Sequence, residues 1–154
     1  MEAPVTEVRI ERVFDALREL VFKCFTDEKL LAKWWGPKDF TNPVCELDLH
    51  PGGKIRIDMT APDGTVYPMT GFFRVIDPPQ HLLFTTAAFE DENGNSKLED
   101  SNTVTLEEKN GQTFLQLHAE VTKAEPETFE ALSGMKEGWI ESFDRLEKLL
   151  SRIQ

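Results

Sequence analysis

The last thirty or so residues, Glu125 to Gln154, constrain this chain most, because they read as one long helix closing a sequence otherwise built of strands. Phe129, Leu132, Met135, Trp139, Phe143, Leu146, Leu150 and Ile153 recur at intervals of three or four, which places them on one helical stripe. Such a stripe has to be covered. At about 1.5 Å per residue the helix is roughly 40 Å long, enough to lie across a whole small sheet.

The strands that could cover it are legible upstream. Val5 to Phe14 alternates, with Val8 and Ile10 on one side and Glu7, Arg9 and Glu11 on the other, the period of a half-buried strand. Ala16 to Cys24 and Glu28 to Lys33 carry helical spacing, the second capped by Thr26-Asp27-Glu28. Trp34-Trp35-Gly36-Pro37 then stops helical continuation and leaves two indoles at a turn.

Strand patterns follow one another from there. Val44 to Leu49 and Lys54 to Thr60 flank Pro51-Gly52-Gly53 as a hairpin. Pro62-Asp63-Gly64 leads into Val66 to Ile76, Asp77-Pro78-Pro79-Gln80 into His81 to Phe89, and Asn110-Gly111 joins Thr103–Glu108 to Thr113–Val121. These turns are too short for crossover helices, so the strands run antiparallel. The acidic segment Glu90 to Ser101 reads as a solvated loop, and Pro126 is placed to start the final helix. The fold class expected is α+β: a curved antiparallel sheet of six to seven strands around a long C-terminal helix, with two short helices after strand one, as a single domain over 1–154.

Charge narrows the partners. Of the 154 residues, 28 are acidic and 17 basic, a formal charge of -11 that repels phosphate backbones and anionic lipid. Nucleic acid is excluded on that ground. The opening MEAPVTEVRI lacks a basic region followed by an apolar run, and no stretch approaches the roughly 18 apolar residues of a membrane span, so a cytoplasmic location is expected. Cys24 and Cys45 are too few for a disulfide scaffold.

The motifs, in order, resemble a known family. Phe25-Thr26-Asp27 with Leu30, Trp34-Trp35-Gly36-Pro37, Pro51-Gly52-Gly53, Pro62-Asp63-Gly64 with Tyr67-Pro68 and Gly71, Pro78-Pro79 with Leu82 and Phe84-Thr85, and Gly138-Trp139 with Leu146 together resemble the START-like, helix-grip proteins of the SRPBCC superfamily. The branch is that of homologues of the activator of the ninety-kilodalton heat-shock chaperone's ATPase. Thr86 departs from it, since a tryptophan is common there, as does the acidic Glu90–Ser101 segment. The resemblance implies a pocket between the long helix and the concave face of the sheet, used across the superfamily for hydrophobic molecules. It implies no single activity.

No metal or nucleophile signature accompanies these motifs. His50, His81 and His118 are scattered, with no HxxxH or HxxE spacing, and Gly52-Gly53 is most simply hairpin chemistry. No cofactor is expected. Strand alternation places Ile57 and Met59, Phe84 and Thr86, and Leu117 on inward rows facing Met135, Trp139 and Phe143 of the helix. Trp34, Trp35, Phe40, Met69, Met135 and Trp139 are large or adaptable side chains expected to gather near a mouth. Arg12 continues the Val8 and Ile10 series and, if inward, needs a carboxylate or an anionic ligand. Tyr67 is expected at a rim. Gly134 and Gly138 each cost the helix about 1 kcal/mol, which close approach or ligand space would offset. Glu141 with Arg145 and Asp144 with Lys148 read as i,i+4 pairs of a solvated face.

Binding of a small hydrophobic molecule is therefore the expected function. A polyketide cyclase or dehydratase working through isolated polar groups, and a chaperone-interaction module, stand as alternatives, and a homodimer stays open.

Overall fold

The computed structural model describes residues 6–153, so Val5 at the expected start of the first strand and Gln154 at the end of the last helix lie outside it. Element order is β1 (Glu7–Phe14), α1 (Arg18–Thr26), α2 (Glu28–Trp34), β2 (Thr41–Leu47), β3 (Lys54–Thr60), β4 (Val66–Asp77), β5 (His81–Glu90), β6 (Ser96–Lys109) and β7 (Gln112–Ala124). A 3-10 turn (Pro126–Thr128), α3 (Phe129–Ser133) and α4 (Met135–Ile153) complete it. All seven strands pair antiparallel in one sheet, in the order β1-β7-β6-β5-β4-β3-β2. The expected α+β helix-grip architecture is the one observed.

Local chemistry explains the boundaries. Asp27 caps α2 by accepting from the amides of Lys29 at 2.9 Å and Leu30 at 3.1 Å. Gly71 lets β4 approach β5 closely, since a Cβ there would lie 1.9 Å from the Thr85 carbonyl oxygen. The adjacent Phe72 and Phe73 resolve cleanly: Met69 and Phe73 are buried on the inner face, whereas Phe72 is exposed on the outer one.

Two expectations are corrected. The segment read as a loop from Glu90 to Ser101 is mostly strand, because β6 already begins at Ser96 and pairs with β5 and β7 at once. Its polar residues misrepresent a strand whose backbone is satisfied on both sides. The closing helix is also interrupted: α3 ends at Ser133, with Gly134 as its C-cap, and α4 starts afresh at Met135. Phe129 consequently leaves the stripe and is exposed, while Leu149 joins it and is buried.

The core sits between α4 and the sheet. Phe143 packs on Phe14 with ring centroids 6.0 Å apart and on Trp34 at 6.3 Å, and Leu146 and Leu150 continue the seal toward the chain end. On the sheet side Ile55, Ile57, Leu82, Phe84, Leu115, Leu117 and Ala119 are all buried, as their alternation requires.

Candidate functional site

The sealed contact between α4 and the sheet stops short of the helix's first turn, and a cavity of about 590 Å³ opens there. Met135, Gly138 and Gly134 supply the helical wall, with Ala131 of α3 beside them. A Cβ built on Gly138 would meet nothing within 4 Å, so this glycine leaves open space rather than permitting close packing. The sheet wall consists of Met59 from β3, Tyr67, Pro68 and Met69 from β4, the run from Thr86 to Glu90 in β5, and Leu98 and Asp100 from β6. Pro37 and Phe40, after α2, complete the rim, with the Phe40 ring 6.0 Å from that of Tyr67.

Of the pocket residues expected from sequence, Phe40, Met59, Met69, Thr86 and Met135 line this cavity. Trp35, Ile57 and Phe84 instead border a void of about 10 Å³ deeper inside, together with Met69. That space is at the limit of a single water molecule, so these three are core. Trp34, Leu117 and Phe143 are buried in the core as well, and Trp139 packs edge-on against Trp35 at 5.3 Å. The two indoles at the end of α2 thus do not form a mouth. Trp34 points into the core, where its Nε1 donates to the Cys24 carbonyl at 2.9 Å, satisfying the one polar atom it carries.

Arg12 is placed away from the cavity. Its guanidinium donates to Asp144 at 2.6 Å and lies 3.6 Å from Glu147, both on α4. The carboxylate partner an inward arginine needs therefore comes from the protein. Arg145, read as half of an ordinary surface pair, has a different role. It is partly buried and donates to the carbonyls of Trp35, Gly36, Pro37 and Phe40 at 3.0–3.1 Å and of Lys33 at 3.3 Å. Burial lowers its pKa, while Asp39 opposes that shift. Glu141 accepts from the Lys38 amide at 2.9 Å. These contacts fix the turn that carries Pro37 and Phe40 to the cavity rim.

The polar feature inside the cavity is one sequence reasoning missed. Thr86 and Asp100 stand opposite each other on β5 and β6, and Phe84 stands opposite Asn102. Strand alternation sends Asp100 inward with Asn102, Val104 and Leu106, of which the last three are fully buried. A bulge between Glu99 and Asp100 in the β6–β7 pairing lies beside it. The Thr86 hydroxyl donates to Asp100 Oδ1, and Asn102 Nδ2 reaches the same oxygen at 3.4 Å, Thr86 Oγ1 at 3.3 Å and the Phe84 carbonyl at 3.3 Å. Burial raises the Asp100 carboxyl to about 7, against the opposing pull of these hydrogen bonds. The signal in the sequence is the alternation of Asp100, Asn102 and Val104, which a loop reading of the segment hides.

The histidines lie elsewhere. His50 pairs with Asp48 at 2.9 Å, and His118 with Glu7 at 3.0 Å and Glu120 at 3.2 Å. Among the described residues no group of three or more His, Cys, Asp or Glu side chains could hold a metal ion, and no helix is long and apolar enough to cross a membrane.

Comparison with known proteins gives a consistent picture. Residues 10–151 match the family model described as "Activator of Hsp90 ATPase homolog 1-like protein". A protein from Arthrobacter aurescens, solved by solution NMR, is 30% identical with a TM-score of 0.82, the match covering 96% of this chain and 87% of that one. A crystal structure from Silicibacter pomeroyi named AHSA1 is 25% identical with a TM-score of 0.78, covering 96% and 99%. One from Nitrosomonas europaea, 24% identical with a TM-score of 0.78 and coverage of 96% and 95%, shares the fold. No curated protein matches the chain.

Proposed function

Because this chain belongs to the family of activator of Hsp90 ATPase homolog 1-like proteins, and because its closing helix stops sealing against the sheet at Gly138, we propose that it binds a small hydrophobic molecule in the cavity between α4 and the sheet. The observation that carries this reading is the cavity itself. At about 590 Å³ it has the size of a small-molecule site, and its walls are mostly Met, Phe, Pro and Ala. Burying an apolar ligand there is favoured by about 25 cal/mol per Å² removed from water. Gly138, inside α4, destabilises the helix and has nothing within 4 Å of its absent side chain, and space for a guest accounts for it.

A panel of lipids, polyketides and aromatic compounds, screened by thermal shift and followed by calorimetry, tests the proposal. Ligands should raise the melting temperature of the native chain, and Gly138→Leu should abolish the shift. A panel without any shift would overturn it.

Asp100 favours a second reading in the same cavity, acid–base turnover of the bound molecule, because a carboxyl titrating near neutrality in an apolar pocket suits a general acid. Mass spectrometry of ligand recovered after long incubation separates the two: unchanged ligand leaves binding alone. The chaperone-interaction reading rests on the family description only, and pull-down with the chaperone tests it.

A further inference from the structure

The charge of the cavity wall restricts what kind of hydrophobic molecule fits, an inference that rests on the binding function proposed above. Asp100 and Glu90 are the carboxyl groups among the lining residues, and the lining contains no lysine, arginine or histidine. The two acids are placed differently. Glu90 is exposed at the lip where β5 ends, whereas Asp100 is partly buried and set in the apolar wall.

Asp100 is also held in position. The Thr86 hydroxyl and the Asn102 amide both donate to Oδ1, and Asn102 is itself 0% exposed and anchored to the Phe84 carbonyl. Among the described residues no cation pairs with this carboxyl, in contrast to Asp144, which has Arg12. Asn102 Oδ1, fully buried beside it, has no hydrogen-bond partner among the described residues either. A carboxylate in an apolar wall is costly unless a counter-charge meets it. The counter-charge is not supplied by the protein.

The geometry points to a ligand with an apolar body and one basic nitrogen, whose ammonium is received by Asp100. A carboxylate-bearing molecule such as a fatty acid would bring a second negative charge beside Asp100 with no cation to separate them, so this site selects against it. A neutral hydrophobe can fill the cavity but leaves the Asp100 charge uncompensated. An ammonium meets it with a charge-assisted hydrogen bond, and the chain's overall charge of -11 also draws cations toward it.

The test is a matched series of n-decylamine, n-decanol and decanoate, titrated calorimetrically into the full chain at pH 8 and moderate salt. Decylamine is expected to bind about tenfold more tightly than decanol, the scale of one charged hydrogen bond, with decanoate the weakest. In Asp100→Asn the amine should fall to the affinity of the alcohol while decanol binding stays within about twofold of the parent. Glu90→Gln should keep the amine preference, which distinguishes Asp100 from the diffuse acidic surface. If amine and alcohol bind the parent equally, or if Glu90→Gln and not Asp100→Asn removes the preference, the inference is overturned while the binding function stands. If none of the three binds, both fail. Should Asp100→Asn not fold, the amine-to-alcohol ratio of the parent decides alone.

Discussion

Ser142 and Gly36 are joined twice: the Gly36 amide donates to Ser142 Oγ at 3.1 Å, and the Ser142 hydroxyl donates back to the Gly36 carbonyl at 3.0 Å. Both partners are buried, so α4 and the turn after α2 are locked at a point shielded from water. Replacing Ser142 with Ala strands the buried Gly36 amide, while the Gly36 carbonyl keeps its bond from Arg145. A loss of about 1–3 kcal/mol is expected by urea unfolding, and an effect below about 0.5 kcal/mol would contradict the lock.

Arg145 reinforces the same turn with its five carbonyl contacts. Lysine keeps the charge but not the planar fork, so Arg145→Lys is expected to cost about 2 kcal/mol, far more than a surface pair is worth. Because Phe40 reaches the cavity rim from this turn, ligand affinity should fall in parallel. A variant matching the parent in both stability and affinity would return Arg145 to the solvated face.

Gly138 separates stability from binding. A methyl group there meets nothing within 4 Å, so Gly138→Ala should stabilise the chain by about 0.5–1 kcal/mol through helix propensity alone. Gly138→Leu should retain a folded spectrum yet lose ligand, because its side chain extends into the cavity. Destabilisation by the alanine variant would mean that the glycine is there for packing.

Asp100 gives the fold a specific pH signature. Its carboxyl has an ordinary value of 3.8 and is pushed up to about 7 by burial, so between about pH 4 and 7 the folded chain binds more protons than the unfolded one. Stability from this group is present below pH 4, falls as pH rises through that window, and is constant above 7. The strands on either side present Thr86 and Val121 to it, and the other titratable groups lining the cavity are Glu90 and Tyr67. Asp100→Asn should therefore match the parent in unfolding free energy near pH 4 and exceed it at pH 8, by up to about 4 kcal/mol. A difference independent of pH would assign the effect to something other than titration.

Arg12 should be dispensable for ligand. Its partners Asp144 and Glu147 are exposed by 56% and 61% of their side chains, so Arg12→Ala is expected to cost no more than about 1 kcal/mol. Cavity affinity should not change, and a loss of binding would restore Arg12 to the site.

How much of this was readable in the chain depends on whether the deciding interaction is local. Alternation in β1, β3, β5 and β7 and the spacing of Trp139, Phe143, Leu146 and Leu150 reflect burial of one face, which a sequence displays directly. The interruption at Gly134 was foreshadowed only as a cost, because a lone glycine does not reveal whether a helix bends around it or ends. Arg145 could not be read at all. Its partners are main-chain carbonyls 105 to 112 residues away, and a main-chain carbonyl leaves no mark on residue type. Asp100 was obscured by its own neighbours, since Lys97, Glu99 and Ser101 make the start of β6 look solvated although both of its edges are paired.

The division of α4 into an open first turn and a sealed remainder has an evolutionary consequence. Substitutions around Gly134, Met135 and Gly138 can reshape the guest space without disturbing the aromatic packing around Phe143 or the Ser142 lock, so such changes carry little risk of unfolding. A lineage built on this chain can therefore change the shape of this cavity by single steps at the helix's first turn, while the rest of the helix keeps the protein folded throughout.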